Sequence, residues 1–130
     1  MLAILPWVER LAQRFGARVV FLTVTEDVPQ SLATVDETGL DAACARLTAA
    51  SVPHTRLVRR GDPVGEILDV CSEISADLLA MTTHGRSGFT RFVLGSVTDA
   101  LVRRATVTML LLRCKPKPAV AEARLEAANP

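Results

Sequence analysis

No stretch of this 130-residue sequence stays apolar for the roughly 20 residues that a membrane-spanning helix needs. An excess of one charge is also lacking: 15 Lys and Arg stand against 14 Asp and Glu, for a net charge of +1. That balance carries no global argument for a nucleic-acid or membrane partner, and neither is expected. Cysteine is scarce. Cys44, Cys71 and Cys114 are far apart, odd in number and outside any metal-ligand spacing, so they read as small apolar residues in a reducing compartment. The two histidines, His54 and His84, have no cysteine or carboxylate partners nearby in the chain, so no metal site built by protein alone is expected. Residues 1–5 are too short for a signal peptide and lack a basic start, which makes a cytoplasmic location the default expectation. There is no internal repeat, no Gly-x-Gly-x-x-Gly after a strand, no Walker-type lysine and no Gly-x-Ser-x-Gly elbow. These absences argue against a dinucleotide carrier and against a dedicated catalytic machine.

What is present is a composition for one domain with a real core: 49% of the residues are apolar. In residues 2–15, Ile4, Val8, Leu11 and Phe15 repeat at helical spacing, Pro6 fits a first turn, and Gly16 is a stop. Trp7 is expected in the core or at a partner contact. Residues 18–24 read as a strand, apolar on both faces as a helix-covered strand should be. Residues 35–51 read as a helix with Leu40, Ala43, Leu47 and Ala50 inward, and residues 54–60 as a polar edge strand. Asp62 and Pro63 announce the next helix as N-cap and first residue, with Val64, Ile67, Leu68, Cys71 and Ile74 as its apolar stripe. Residues 77–81 are a buried strand, 96–104 a helix with Val97 and Leu101 inward, and 107–112 an apolar last strand. After Cys114, Lys-Pro-Lys-Pro breaks the order, so the domain is expected over 1–113 with a flexible tail at 114–130. Alternating helices and strands point to an α/β fold, an open parallel sheet with helices on both faces.

The stretch around which the chain is organised runs from Met81 through Thr82, Thr83, His84, Gly85, Arg86, Ser87 and Gly88 to Gly95, Ser96, Val97 and Thr98. It leaves a strand, crosses a glycine-bearing loop and enters a helix. Glycines let backbone approach a ligand, and a helix start offers free N–H groups and a positive dipole end to an anion. Ser96 is expected as the N-cap, with Asp99 three residues on completing a weak capping box. Arg86 and Arg91 lie in the loop and could partner phosphate oxygens.

This segment resembles the signature of the universal stress protein family, in which nucleotide-binding members carry glycine, two residues, glycine, nine residues, glycine, then serine or threonine. Gly85 and Gly95 stand nine residues apart here and Ser96 follows, while Thr82 occupies the place of the first glycine. If position 82 needs positive φ, a β-branched residue is disfavoured there. The resemblance implies an adenine nucleotide alpha hydrolase-like sheet of five parallel strands in order 3-2-1-4-5. It also implies an ATP site: Val24 near the adenine, Met81 and Thr82 at the strand end, and Gly85, Gly95, Ser96, Val97 and Thr98 around the phosphates. Arg86 and the Ser96 and Thr98 hydroxyls would suit a triphosphate with Mg²⁺. The family's dimers join at the last strand, so a homodimer through residues 107–112 is expected.

The family's chain opens with a strand and an acidic turn, whereas this sequence opens on the helix that follows them. The absent strand would be the central one. Three accounts stand side by side: sequence upstream of Met1, direct closure of the neighbouring strands, or a strand from a partner. An incomplete reading frame is the favoured expectation. Three functions stay open: an ATP-binding regulatory module of the stress response; a dimerising module that binds no nucleotide; and, least favoured, an ATP-hydrolysing enzyme using His84 and Ser87.

Overall fold

The structure, a computed structural model, describes residues 2–26, 37–84 and 95–114. A short 3-10 turn, Leu2–Ile4, leads into α1 (Leu5–Phe15) and then β1 (Val19–Thr25). α2 (Glu37–Ala49), β2 (His54–Arg60), α3 (Pro63–Glu73), β3 (Leu78–His84), α4 (Ser96–Arg104) and β4 (Thr108–Cys114) follow. The alternation is the one the apolar periodicities require, and the architecture is α/β with parallel strands.

Local chemistry sets most boundaries. Pro6 sits in the first turn of α1, where a missing N–H costs nothing. Gly16 ends the helix in the left-handed region at φ 63°, and the N–H of Ala17 closes back on the Ala12 carbonyl at 2.9 Å. The Asp62 carboxylate accepts from the Gly65 N–H at 2.8 Å and so caps α3 as its position predicted.

β1 pairs with β2 in parallel, Val19 opposite His54 through Thr25 opposite Arg60. β3 pairs with β4 in parallel, Leu78 opposite Thr108 through His84 opposite Cys114. The two pairs are separate sheets: no described strand bonds the other edge of β1 or joins it to β3. Direct closure of β1 on β3 is therefore not what this chain does. Helices bridge the two pairs instead. α1 lays Leu5 and Ala12 over Val19 and Phe21 of β1, and the turn ahead of α1 touches β3 and β4. On the other side α3 packs on β1, β2 and α4.

The core sits between α1, α2 and the start of β2, where Leu5, Ala12, Ala43, Leu47 and Val52 are buried together. Further buried residues are Ile4, Leu40 and Cys44, then Val64 and Val70 of α3, and Thr98 and Leu101 of α4. None of the described strand side chains is fully buried. β1 is half-buried from end to end, although its sequence is that of a strand covered on both faces.

Several expectations shift. The buried stripe of α1 lies one residue on from the expected phase: Leu5 and Ala12 point inward while Phe15 is 78% exposed. Trp7 is not in the core. It is 52% exposed, with the Arg10 guanidinium 6.0 Å from its ring centroid. In α3, Val70 replaces Ile74 as the inward residue near the end, because the chain turns at Ile74 and leaves that side chain 46% exposed. The strands after Ala17 and Asp77 run further than expected, to Thr25 and His84. β4 likewise runs to Cys114.

Candidate functional site

Met81 and Thr82 lie inside β3, opposite Leu111 and Leu112 of β4, and both are half-buried. Thr82 has negative φ, since the non-glycine residues with positive φ among those described are Ser51 and Ser75. A β-branched residue is at ease in such an extended strand. The concern attached to a threonine in a glycine position therefore does not apply to this backbone. Val24 is the penultimate residue of β1, opposite Arg59. Gly85 and Arg86, with Ser87, Gly88 and Arg91, lie outside the described residues.

The start of α4 differs from expectation at one residue. Gly95, not Ser96, is the N-cap, and as a glycine it offers no side chain to cap the helix. Ser96 is already helical and exposed, and Asp99 turns to Arg103 at 3.1 Å rather than back to the cap. The first backbone bond of the helix is Asp99 N–H to the Gly95 carbonyl, 2.9 Å. Among the described residues, the N–H groups of Ser96, Val97 and Thr98 thus have no acceptor. Gly95 has φ −55°, and a Cβ built there would meet nothing within 4 Å. Thr98 is 5% exposed and is buried, as Leu101 of the same helix is. Its amide, not its hydroxyl, belongs to the helix start.

Chemically, a helix start of this kind suits an anion: it offers a positive helix end and backbone donors that have no acceptor among the described residues. Among the described residues, no group of three or more His, Cys, Asp or Glu could hold a metal. No hydrogen bond or ion pair among the described residues links Val24, the Met81–Thr82 pair and the α4 start to one another.

A second cleft, about 350 Å³, opens at the C-terminal ends of α3 and α4. Cys71, Ser72, Ser75, Arg104 and Thr106 line it. Burial pushes the Cys71 thiol above its ordinary pKa, which makes it a poor nucleophile. Nothing in sequence joins residues so far apart, and the cleft lies at the opposite end of α4 from the free amides. A third polar group, on the outer face, is Arg56 of β2. It donates to Asp41 at 2.5 Å and to the Cys44 sulfur at 3.2 Å, and its pKa is raised chiefly by the Asp41 hydrogen bond.

The family model described as "Universal stress protein family" matches residues 2–113. The chain belongs to the universal stress protein family. A universal stress protein of Methanocaldococcus jannaschii is 36% identical over 64 residues, 49% of this chain and 36% of that protein. The matched stretch thus spans about a third of that relative's length. Among solved structures, a universal stress protein in complex with cAMP aligns with TM-score 0.65 at 23% identity, covering 88% of this chain and 87% of the other. A universal stress protein family member from Arabidopsis thaliana with AMP bound aligns with TM-score 0.61 at 18% identity, covering 90% and 81%. At those identities the structural likeness speaks for the fold alone. Among the described residues, no helix of this family member is long and apolar enough to cross a membrane.

Proposed function

We propose that this chain is a regulatory module that binds an adenine nucleotide, with ATP as the expected ligand, where β3 hands over to α4. The carrying observation is the start of α4, whose Ser96, Val97 and Thr98 amides have no acceptor among the described residues. Family relatives that hold AMP and cAMP support an adenine nucleotide as the anion. In this reading the three amides and the Ser96 hydroxyl take phosphate oxygens, and Gly95 lets them approach. Val24 lies toward the adenine, Met81 and Thr82 form the strand end, and Gly85 and Arg86 belong to the phosphate loop. Mg²⁺ would travel with the phosphates, neutralising their charge, rather than sit in a protein cage.

Titration with ATP, with and without Mg²⁺, tests this on the wild type and on Gly95→Val. The glycine has negative φ and an added Cβ meets none of the described residues within 4 Å, so the substitution keeps the fold at the modest cost of a poorer N-cap. The expected result is saturable binding by the wild type and at least a tenfold weaker Kd in the variant, about 1.4 kcal/mol, with the variant still melting cooperatively from a folded state. No binding by the wild type, or equal binding by both, overturns the proposal. We also propose that the molecule is a homodimer through the outer edge of β4, which pairs only with β3 among the described strands.

A further inference from the structure

We propose that the cleft at the C-terminal ends of α3 and α4 binds a small monocarboxylate with a short apolar body. It is a second site, at the opposite end of α4 from the amides proposed for phosphate.

Two packed helices build the cleft. From α3 and the turn after it come Leu68, Cys71, Ser72 and Ser75, which recur at the three- and four-residue spacing of one helix face. Arg104, the last residue of α4, and Thr106 just beyond it also line the space. Its polar groups are without partners. Among the described residues, the Arg104 guanidinium and the hydroxyls of Ser72, Ser75 and Thr106 make no hydrogen bond or ion pair. The neighbouring Arg103 differs, since Asp99 takes it up at 3.1 Å. Ser75 adds a second mark. It is held at φ 49°, where a side chain carries strain that glycine would avoid. Several unpartnered polar groups around a partly apolar recess are the composition of a small-molecule site.

The lining specifies the ligand. Among the described residues that line the cleft, Arg104 alone carries a charge. One guanidinium matches one carboxylate, with two parallel N–H donors for its two oxygens. Burial raises the pKa of the Cys71 thiol, which stays neutral and sets no negative charge beside the ligand. Both helices end here, so the negative ends of their dipoles lie at the cleft and weigh against a dianion such as phosphate. Leu68 and Val107 favour a hydrocarbon body over further polar groups. The volume of about 350 Å³ stands at the small end of ligand sites. The hydroxyls of Ser72, Ser75 and Thr106 are left to donate to the carboxylate beside the guanidinium.

Benzoate is the probe, titrated into the isotopically labelled 130-residue chain and followed by amide NMR shifts. Saturable shifts are expected at Ser72, Ser75 and Thr106, with Ser96, Val97 and Thr98 unmoved. Benzyl alcohol keeps the ring and lacks the charge, and should bind about tenfold more weakly for want of the charge-assisted pair. Acetate, which lacks the ring, and inorganic phosphate should both bind more weakly than benzoate. Arg104→Gln should weaken benzoate about tenfold and leave benzyl alcohol unchanged. Arg104 is exposed and bonds to none of the described residues, so this variant should fold. The wild-type comparison of benzoate with benzyl alcohol decides the matter if it does not. Absence of saturable shifts at the cleft overturns the proposal. So does equal binding of benzoate and benzyl alcohol, which would mean mere apolar adsorption. Undiminished benzoate binding by a folded Arg104→Gln overturns it as well.

Discussion

Ser51 and Ser75 each follow a helix at the position where the chain reverses, with φ 57° and 49°. Gly16 does the same task after α1 with φ 63° and no Cβ to strain. The left-handed region costs a side-chain-bearing residue about 1–2 kcal/mol. Part of that is recovered in the serine chain, because glycine gives the unfolded state more freedom. Ser51→Gly and Ser75→Gly should therefore each raise stability by about 0.5–1 kcal/mol. Urea titration should show higher midpoints at unchanged slope, additive in the double variant. A lower midpoint for either would mean that the serine side chain contributes something its contacts do not show. At this scale the sequence was readable where one residue type has one job, as with Asp62 capping α3 and Gly16 ending α1. It misled at Ser96, because a serine can cap a helix or simply begin it, and the choice rests on the ψ of Gly95.

Elements were more legible than residues. The four helices and four strands among the described residues follow from period and punctuation, because burial on one face imposes a stripe that local sequence must carry. The phase of α1 was not legible. Ile4, Leu5, Val8, Leu11, Ala12 and Phe15 offer two overlapping stripes, and the small Ala12 wins because α1 must lie close to α2, where Ala43 and Leu47 are buried. The edges of strands tell more about assembly. The last strand was read as apolar, and β4 presents Met109, Leu110, Leu111 and Leu112 half-buried beside a single partner strand. Sedimentation should find a dimer, and Pro at 109 or 110 should dissociate it. Adjacent residues send their N–H groups to opposite edges, so one of the two variants spares the β3 ladder. A monomer at tens of micromolar would remove this interface. The candidate site was legible as a strand–loop–helix unit, yet its inner geometry was not, since free amides are a property of backbone and not of side-chain pattern.

For the molecule as a whole, the distribution of packing matters more than its amount. The core cluster is drawn entirely from α1, α2 and the turn before β2, and each half-sheet keeps its ladder to itself. The segment from β3 to β4 is held to the rest through the turn ahead of α1 and through α3 against α4. Cooperative unfolding needs contacts that make one part fail when another does. Scanning calorimetry should accordingly give a van't Hoff enthalpy below the calorimetric one, with amides of β3 and β4 exchanging before those of β1 and β2. Equal enthalpies would refute this. The divided ladder also bears on how any bound partner would be noticed. A molecule that touches both halves would first sharpen the melt, fusing two soft events into one abrupt one, before it moved the midpoint very far.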